Sequence, residues 1–357
     1  SSSDGLLICN NMQQLCTIGH IATSLNTFDK EFHDDNMTTF DLSLHNYTRA
    51  DAAVDLTALG SRFSACHASK HEHVLSDCPT PDTYDQAIKS RQSERWTQSM
   101  VQEIQDLIKN ETWELVSRSK VKQKVAKSKW VYKIKLNKDG SIERFKSRFV
   151  VCGYSQVKGV DYTHSFSATL RATSFRLLLA LAAGEKLRLE HFDVNNAFTQ
   201  SDIDSVIYVE PPRGFEKYDK DGKSYVLKLK RALYGTKQAS RMWQLKLRSH
   251  LINHMGFTNS SHDPCLFSRR WEDGTVMILG VYVDDIVLAH NGKLAWFIDE
   301  FTGPKGFRAK HVGPLSWFLG MSVEQGSDYS VRVDQVQYIE KLIEKFAPAR
   351  TASMVKH

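Results

Sequence analysis

The chain has 357 residues, 41% hydrophobic and 25% charged, with 19 Gly and 8 Pro, which excludes disordered, collagen-like and disulfide-stapled classes and leaves room for two or three packed units. The net charge of +6 hides an asymmetry: residues 1–80 hold 4 basic and 10 acidic side chains, a net −6, and the rest hold 43 against 31, a net +12. No apolar run approaches the roughly 18–20 residues of a membrane helix, no Lys or Arg precedes residues 6–9 to make a signal peptide, and the six Cys form no C-x-x-C pair, so the chain reads as soluble and intracellular, with no membrane partner.

Residues 1–80 contain no Trp and no sustained apolar period, which predicts an acidic, poorly structured leader ending near Pro79-Thr-Pro81. Cys66, His67, His71, His73 and Cys78 lie close together, but their spacing matches no common zinc knuckle or finger, and no zinc site is expected. Residues 87–110 place Trp96, Met100, Ile104, Leu107 and Ile108 at helical spacing, predicting an amphipathic helix that serves packing. Two alternating runs, 129–136 (KWVYKIKL) and 142–151 (IERFKSRFVV), joined through Asp139-Gly140, predict a β-hairpin projecting Lys133, Lys135, Lys146 and Arg148. Residues 118–148 hold 12 Lys/Arg and 2 acids, a net +10 that suits phosphate.

Beyond the hairpin, 174–183 reads as a buried helix and 190–198 as a strand ending in polar residues. A helix over 237–254 carries a stripe of Ala239, Trp243, Leu247 and Leu251. Residues 276–289 read as two short strands on either side of Asp284-Asp285, and 317–323 and 334–346 as a strand and a helix. With no regular βαβ rhythm, the expected class is α+β.

Two adjacent carboxylates between apolar strands must sit in a turn, where they repel unless something compensates. Asp193 at the end of another strand would bring a third. Hard divalent cations take oxygen ligands and complete their shell with water and substrate phosphate. Acids beside a basic hairpin therefore point to phosphate chemistry.

The string Tyr282-Val-Asp-Asp285 resembles the Y-x-D-D box of reverse transcriptases. The blocks around it are similar to copia-type long-terminal-repeat retrotransposon Pol polyproteins: Trp130-Val-Tyr-Lys-Ile-Lys135, Phe145-Lys-Ser-Arg148 with Gly153-Tyr-Ser-Gln156, Gly159-Val-Asp-Tyr162 with Phe166-Ser167, Phe192-Asp-Val-Asn-Asn-Ala-Phe198, Leu233-Tyr-Gly-Thr-Lys-Gln-Ala239 with Trp243, and Phe318-Leu-Gly-Met321. They run in the family's order over about residues 80–346, and the ordered set is far more specific than any one block.

The resemblance implies a right-hand polymerase fold, with fingers and palm over 81–302 and a primer-grip region with a truncated thumb or connection over 303–357. It implies two Mg2+ ions, or Mn2+, held by Asp193, Asp284, Asp285 and the Val194 carbonyl. Phe198 would close off the sugar 2′ position. Lys146 and Arg148 would clamp the triphosphate, Gln238 and Tyr282 would face the incoming nucleotide or primer end, and Lys310 would protonate departing pyrophosphate. Implied partners are an RNA or DNA template with primer, deoxynucleoside triphosphates and the rest of a Pol polyprotein, integrase and ribonuclease H included. The implied place of copying is a cytoplasmic virus-like particle, or the nucleus.

Some positions depart from the family pattern: Leu170 where a Ser-Pro-Val run is usual nearby, Thr199-Gln200-Ser201 after Phe198, and Thr236 and Ser240 in the nucleotide-contacting block. None removes a carboxylate. The competing readings are an inactive nucleic-acid-binding retroelement remnant and a palm-type nucleotide cyclase. The fingers hairpin and the Leu233–Ala239 block argue against the cyclase.

Overall fold

The computed structural model describes residues 78–137 and 141–346. The leader, most of the Cys/His group and the Asp139-Gly140 turn lie outside them. Cys78, Cys152 and Cys265 are buried free thiols. Among the described residues no helix is long and apolar enough to cross a membrane.

The predicted first helix is two: α1 (Tyr84–Lys89) and α2 (Ser93–Lys109), separated where Ser90 takes an extended conformation and turns its hydroxyl back to the Ala87 carbonyl. α2 buries Trp96, Met100, Ile104 and Leu107 against β3 (Ser128–Leu136) and β4 (Ile142–Val151). Trp96 stands edge-on to Tyr132 and Phe145, with ring centroids 5.1 and 4.6 Å away. The antiparallel hairpin is the predicted one. Its register sets Lys129 opposite Val150, Val131 opposite Arg148, Lys133 opposite Lys146 and Lys135 opposite Arg144, so six cations share one face while Trp130, Tyr132 and Ile134 bury the other. Directly opposed like charges disfavour the pairing unless anions screen them.

β4 has no strand on its far side, and α2 covers that open edge with polar side chains. Ser99 Oγ accepts from the Ser147 amide at 2.7 Å and donates to the Phe145 carbonyl, and Glu103 Oε1 accepts from the Phe149 amide at 3.3 Å. Residues four apart on a helix thus meet amides two apart on a strand. The helix does more than pack.

The larger element is a six-stranded antiparallel sheet in the order β12-β5-β11-β10-β9-β8, built from β5 (Arg188–Val194), β8 (Thr258–Asn259), β9 (Leu266–Arg270), β10 (Val276–Tyr282), β11 (Asp285–His290) and β12 (Ala309–Pro314). α3 (Ala172–Gly184) covers one face; a Cβ on Gly280 there would meet Leu170, Leu178 and Val287 within 3.4 Å. On the other face Phe192, fully buried, contacts Phe297 and Phe301 of α5 (Leu294–Thr302). α4 (Ala239–Ser249) shares this core through Trp243 and Leu247 and runs on as a π-turn, His250–His254, in place of the longer α-helix expected.

Several expectations are corrected. The strand predicted to reach Phe198 stops at Val194, because Asn196 takes a left-handed conformation (φ 49°) and starts a 3-10 turn, Ala197–Gln200. The run 317–323 is not one strand but β13 (Trp317–Phe318) and β14 (Met321–Gln325), folded at Leu319-Gly320 and joined by β15 (Val331–Asp334). After residue 303 the chain keeps to the main sheet: β12 is its edge strand, and Leu315, Phe318, Met321 and Val323 belong to its core. The final helix is α6 (Val336–Phe346). A smaller sheet of β1 (Trp113–Ser117), β2 (Val125–Ala126), β6 (Tyr208–Val209) and β7 (Tyr225–Leu229) was not visible in the periodicity. Its strands are two to five residues long, too short for alternation to register.

Candidate active site

The carboxylates are placed by strand register. Tyr282 pairs with Asp285, Asp285 with Asp193, and Asp193 with Lys310, which sets the four in one row on one face of β10, β11, β5 and β12. Opposed residues of antiparallel strands have Cβ atoms about 4.5–5.5 Å apart, so the row is close-set by construction. The sheet brings Asp193 together with Asp285 and Lys310, which lie far from it in sequence.

Asp284 lies in the two-residue turn between β10 and β11. Val283 has φ +58° and Asp284 does not share the positive sign, the pattern of a type II′ turn. That first central position favours glycine, and a β-branched residue there is strained by roughly 1–3 kcal/mol. The turn is held from both sides: the Trp243 indole N–H donates to the Val283 carbonyl at 2.6 Å, and the Val194 amide donates to the Asp284 carbonyl at 2.8 Å. The second bond ties the turn to the end of β5, one residue beyond Asp193.

Burial, together with the charges of Asp285 and Asp193, pushes the Asp284 carboxyl above the usual carboxylate range, while its own backbone amide and Arg148 pull it down. Asp285 Oδ1 lies 3.1 Å from His191 Nε2, within hydrogen-bond distance. His191 in turn stands edge-on to Phe318, tying the acidic row to the β13–β14 hairpin. Among the described residues no three His, Cys, Asp or Glu side chains form a ready-made ion cage. The donor set still fits a hard divalent cation: carboxylate oxygens at strand ends and in the turn between them, one of them raised in pKa chiefly by burial and then by its acidic neighbours.

The basic hairpin reaches this cluster through Arg148. Its guanidinium lies 4.7 Å from the centre of the Tyr234 ring, and Tyr234 is 4.9 Å from Phe198. Burial chiefly pushes the Tyr234 hydroxyl up to about 12, with Arg148 opposing and Asp284, Glu103 and Asp193 adding, so these groups share one electrostatic neighbourhood. Lys146, on the same face of β4, has its pKa lowered by burial and by Arg148, Arg144 and Lys135. Tyr234 is the residue that sequence reading missed; it stood inside a quoted block with no role, and only the fold shows it between Arg148 and Phe198.

Gln238 does not face this cluster. It is fully buried, neither solvated nor presented to a ligand: its Nε2 donates to the Asp161 carbonyl at 2.8 Å and the Asp204 carboxylate at 3.2 Å, and its Oε1 accepts from Gln156. Gly235, at φ +85°, explains how Tyr234 reaches β4. A Cβ there would lie 2.0 Å from the Val151 carbonyl oxygen, and the Val151 amide donates to the Tyr234 carbonyl at 2.8 Å.

The departures noted in sequence are accommodated. The Thr199, Ser201 and Thr236 hydroxyls donate to the Asn196, Phe198 and Leu233 carbonyls, and Asn110 donates to Thr199. Leu170 is buried against the site-bearing sheet. A buried hydroxyl without a partner would cost about 1–3 kcal/mol, and these have partners.

The chain is 36% identical over 279 residues to the retrovirus-related Pol polyprotein from transposon TNT 1-94 of Nicotiana tabacum, covering 77% of this chain and 21% of that protein. It is 37% identical over 251 residues to the counterpart from transposon RE2 of Arabidopsis thaliana, covering 69% and 17%. The chain therefore spans about a fifth of the length of these relatives. A foamy viral protease-reverse transcriptase solved in complex with double-stranded DNA aligns with a TM-score of 0.33 at 16% identity, over 70% of this chain and 36% of that one. The family model described as reverse transcriptase (RNA-dependent DNA polymerase) matches residues 110–355, and with the copia-type relatives this shows that the chain belongs to the reverse transcriptase family.

Proposed function

We propose that the chain is the polymerising part of a copia-type Pol polyprotein, extending a primer on an RNA or DNA template with deoxynucleoside triphosphates. The observation that carries this reading is the meeting of the Asp193–Asp285 row, the Asp284 turn and Arg148 of the basic hairpin around Tyr234 and Phe198. In it β3–β4 with α2 act as fingers, the six-stranded sheet as palm, and the segment after Gly303 as primer grip and thumb.

Divalent cations, two Mg2+ or Mn2+, would supply activation of the primer 3′-hydroxyl and stabilisation of the leaving pyrophosphate. Asp193, Asp284 and Asp285, with the Val194 carbonyl, would hold them. Arg148 and Lys146 would grip the triphosphate, as charge-assisted hydrogen bonds favour. Phe198, braced by Tyr234, would lie against the sugar 2′ position and exclude a hydroxyl. Lys310, which pairs with Asp193 across β12 and β5, would give a proton to pyrophosphate. Tyr282, at the far end of the row, would face the primer terminus. Copying in cytoplasmic particles or the nucleus, and attachment to integrase and ribonuclease H, belong to the same proposal.

The test is primer extension by the full chain on oligo(dT)-primed poly(A) with dTTP and Mg2+ or Mn2+, beside Asp284→Asn. Extension by the native chain, lost in the variant while primer–template binding persists, is expected. Salt-sensitive binding without extension by either would refute the proposal and favour a non-catalytic remnant.

A further inference from the structure

We propose that Trp243 is a positioning residue for Asp284, its indole N–H holding the central peptide of the Val283–Asp284 turn. This rests on the reading of Asp284 as a working carboxylate. In a two-residue turn the central peptide decides the turn type, because its flip changes ψ of the residue before it and φ of the residue after it. The carbonyl of that peptide belongs to Val283, a β-branched residue held at φ +58°, and it receives the Trp243 bond at 2.6 Å. Asp284 follows immediately, so the direction of its carboxylate depends on how this peptide lies.

The donor is rigid. Trp243 is 1% exposed, lies on α4 within the core of the main sheet, and stands edge-on to Phe307 at 5.0 Å. Trp has one polar atom and no acceptor, so a buried indole N–H gives a one-way, well-aimed bond. Glycine at 283 would adopt the same backbone without restraint. Valine does so only when the surroundings impose it. The helix core and the catalytic turn are thereby coupled through a single bond.

The test uses the full chain with Trp243→Phe, Val283→Gly and both changes together. Phe keeps most of the buried ring and removes the donor. In primer extension, Trp243→Phe is expected to lower kcat about tenfold, the worth of one buried hydrogen bond. KM for dTTP and primer–template affinity should stay within about twofold, since the bond orients a reacting group and binds nothing. With Gly at 283 the same Trp243→Phe change should lower kcat by less than about threefold, because the turn no longer depends on the restraint. The parallel cycle in urea unfolding should show a smaller loss of midpoint from Trp243→Phe when residue 283 is Gly.

Equal kcat losses in both backgrounds, or a loss that moves KM and primer–template affinity with kcat, would overturn the assignment. A native chain that extends no primer refutes the polymerase reading instead, and the unfolding cycle then decides the clamp: equal losses with Val or Gly at 283 overturn it.

Discussion

Glu103 is the side chain whose ionisation most directly tests how α2 holds the basic hairpin. It is 8% exposed, accepts from the Phe149 amide at β4's open edge, and its carboxyl is raised from 4.5 to about 7, chiefly by burial. The Phe149 bond and the charges of Arg148 and Lys146 oppose the rise, and Asp106 adds to it. In the unfolded chain the group ionises near its ordinary value, so between pH 4.5 and about 7 the folded state alone keeps the proton. Stability must therefore fall as pH rises through that window, by about 3 kcal/mol at about 1.4 kcal/mol per tenfold change in proton affinity. Glu103→Gln keeps the acceptor for Phe149 and removes the ionisation. Urea unfolding of both proteins between pH 4.5 and 8 is the assay. The variant should match the native chain at pH 4.5 and exceed it by about 2–3 kcal/mol at pH 8. His250 and His290, whose pKa values are lowered by burial, give slopes of the opposite sign, but these cancel in the difference. Identical pH profiles for the two proteins would refute the claim that Glu103 is held neutral at the strand edge.

Two further outcomes follow from the same geometry. Gly235→Ala forces a Cβ into the Val151 carbonyl at a left-handed position, and should cost about 2–4 kcal/mol in unfolding and raise KM for dNTP as Tyr234 is displaced from Arg148. Arg148→Gln removes the cation beside Asp284 and over Tyr234, and should raise KM for dNTP about ten- to a hundredfold, read by steady-state extension, with primer–template affinity little changed; an unaltered KM would remove Arg148 from the triphosphate site.

The parts of the fold that were legible in sequence are those with long local periods. The β3–β4 hairpin has nine or ten residues a side with alternation on both strands, and its cationic face is as read. The apolar strands around Asp284-Asp285 were equally plain. What could not be read was register between distant strands: that Lys310 stands opposite Asp193 depends on β12 pairing with β5, and β12 alternates only between half-buried and exposed residues. The edge cap by Ser99 and Glu103 was hidden for a related reason, since polar residues on a helix look solvated until the strand they serve is placed. Gln238 shows the reverse: a polar residue at a helix start, read as facing the incoming nucleotide, is buried in a network reaching back to Gln156 and Asp161. Trp243 was read as core, and it is; its N–H bond to a strained turn has no signature in periodicity.

The central claim is that Asp193, Asp284 and Asp285 form one cation-binding centre at the strand ends, within reach of the basic hairpin. Iron-mediated cleavage tests it most directly: Fe2+ with ascorbate and peroxide cuts the backbone beside a bound divalent ion. A shared centre gives cuts at 193–195 and 282–286 together, suppressed by Mg2+ and lost in both Asp193→Asn and Asp284→Asn. Cuts confined to other segments, or cuts at these two sites that respond independently to the two substitutions, would contradict it.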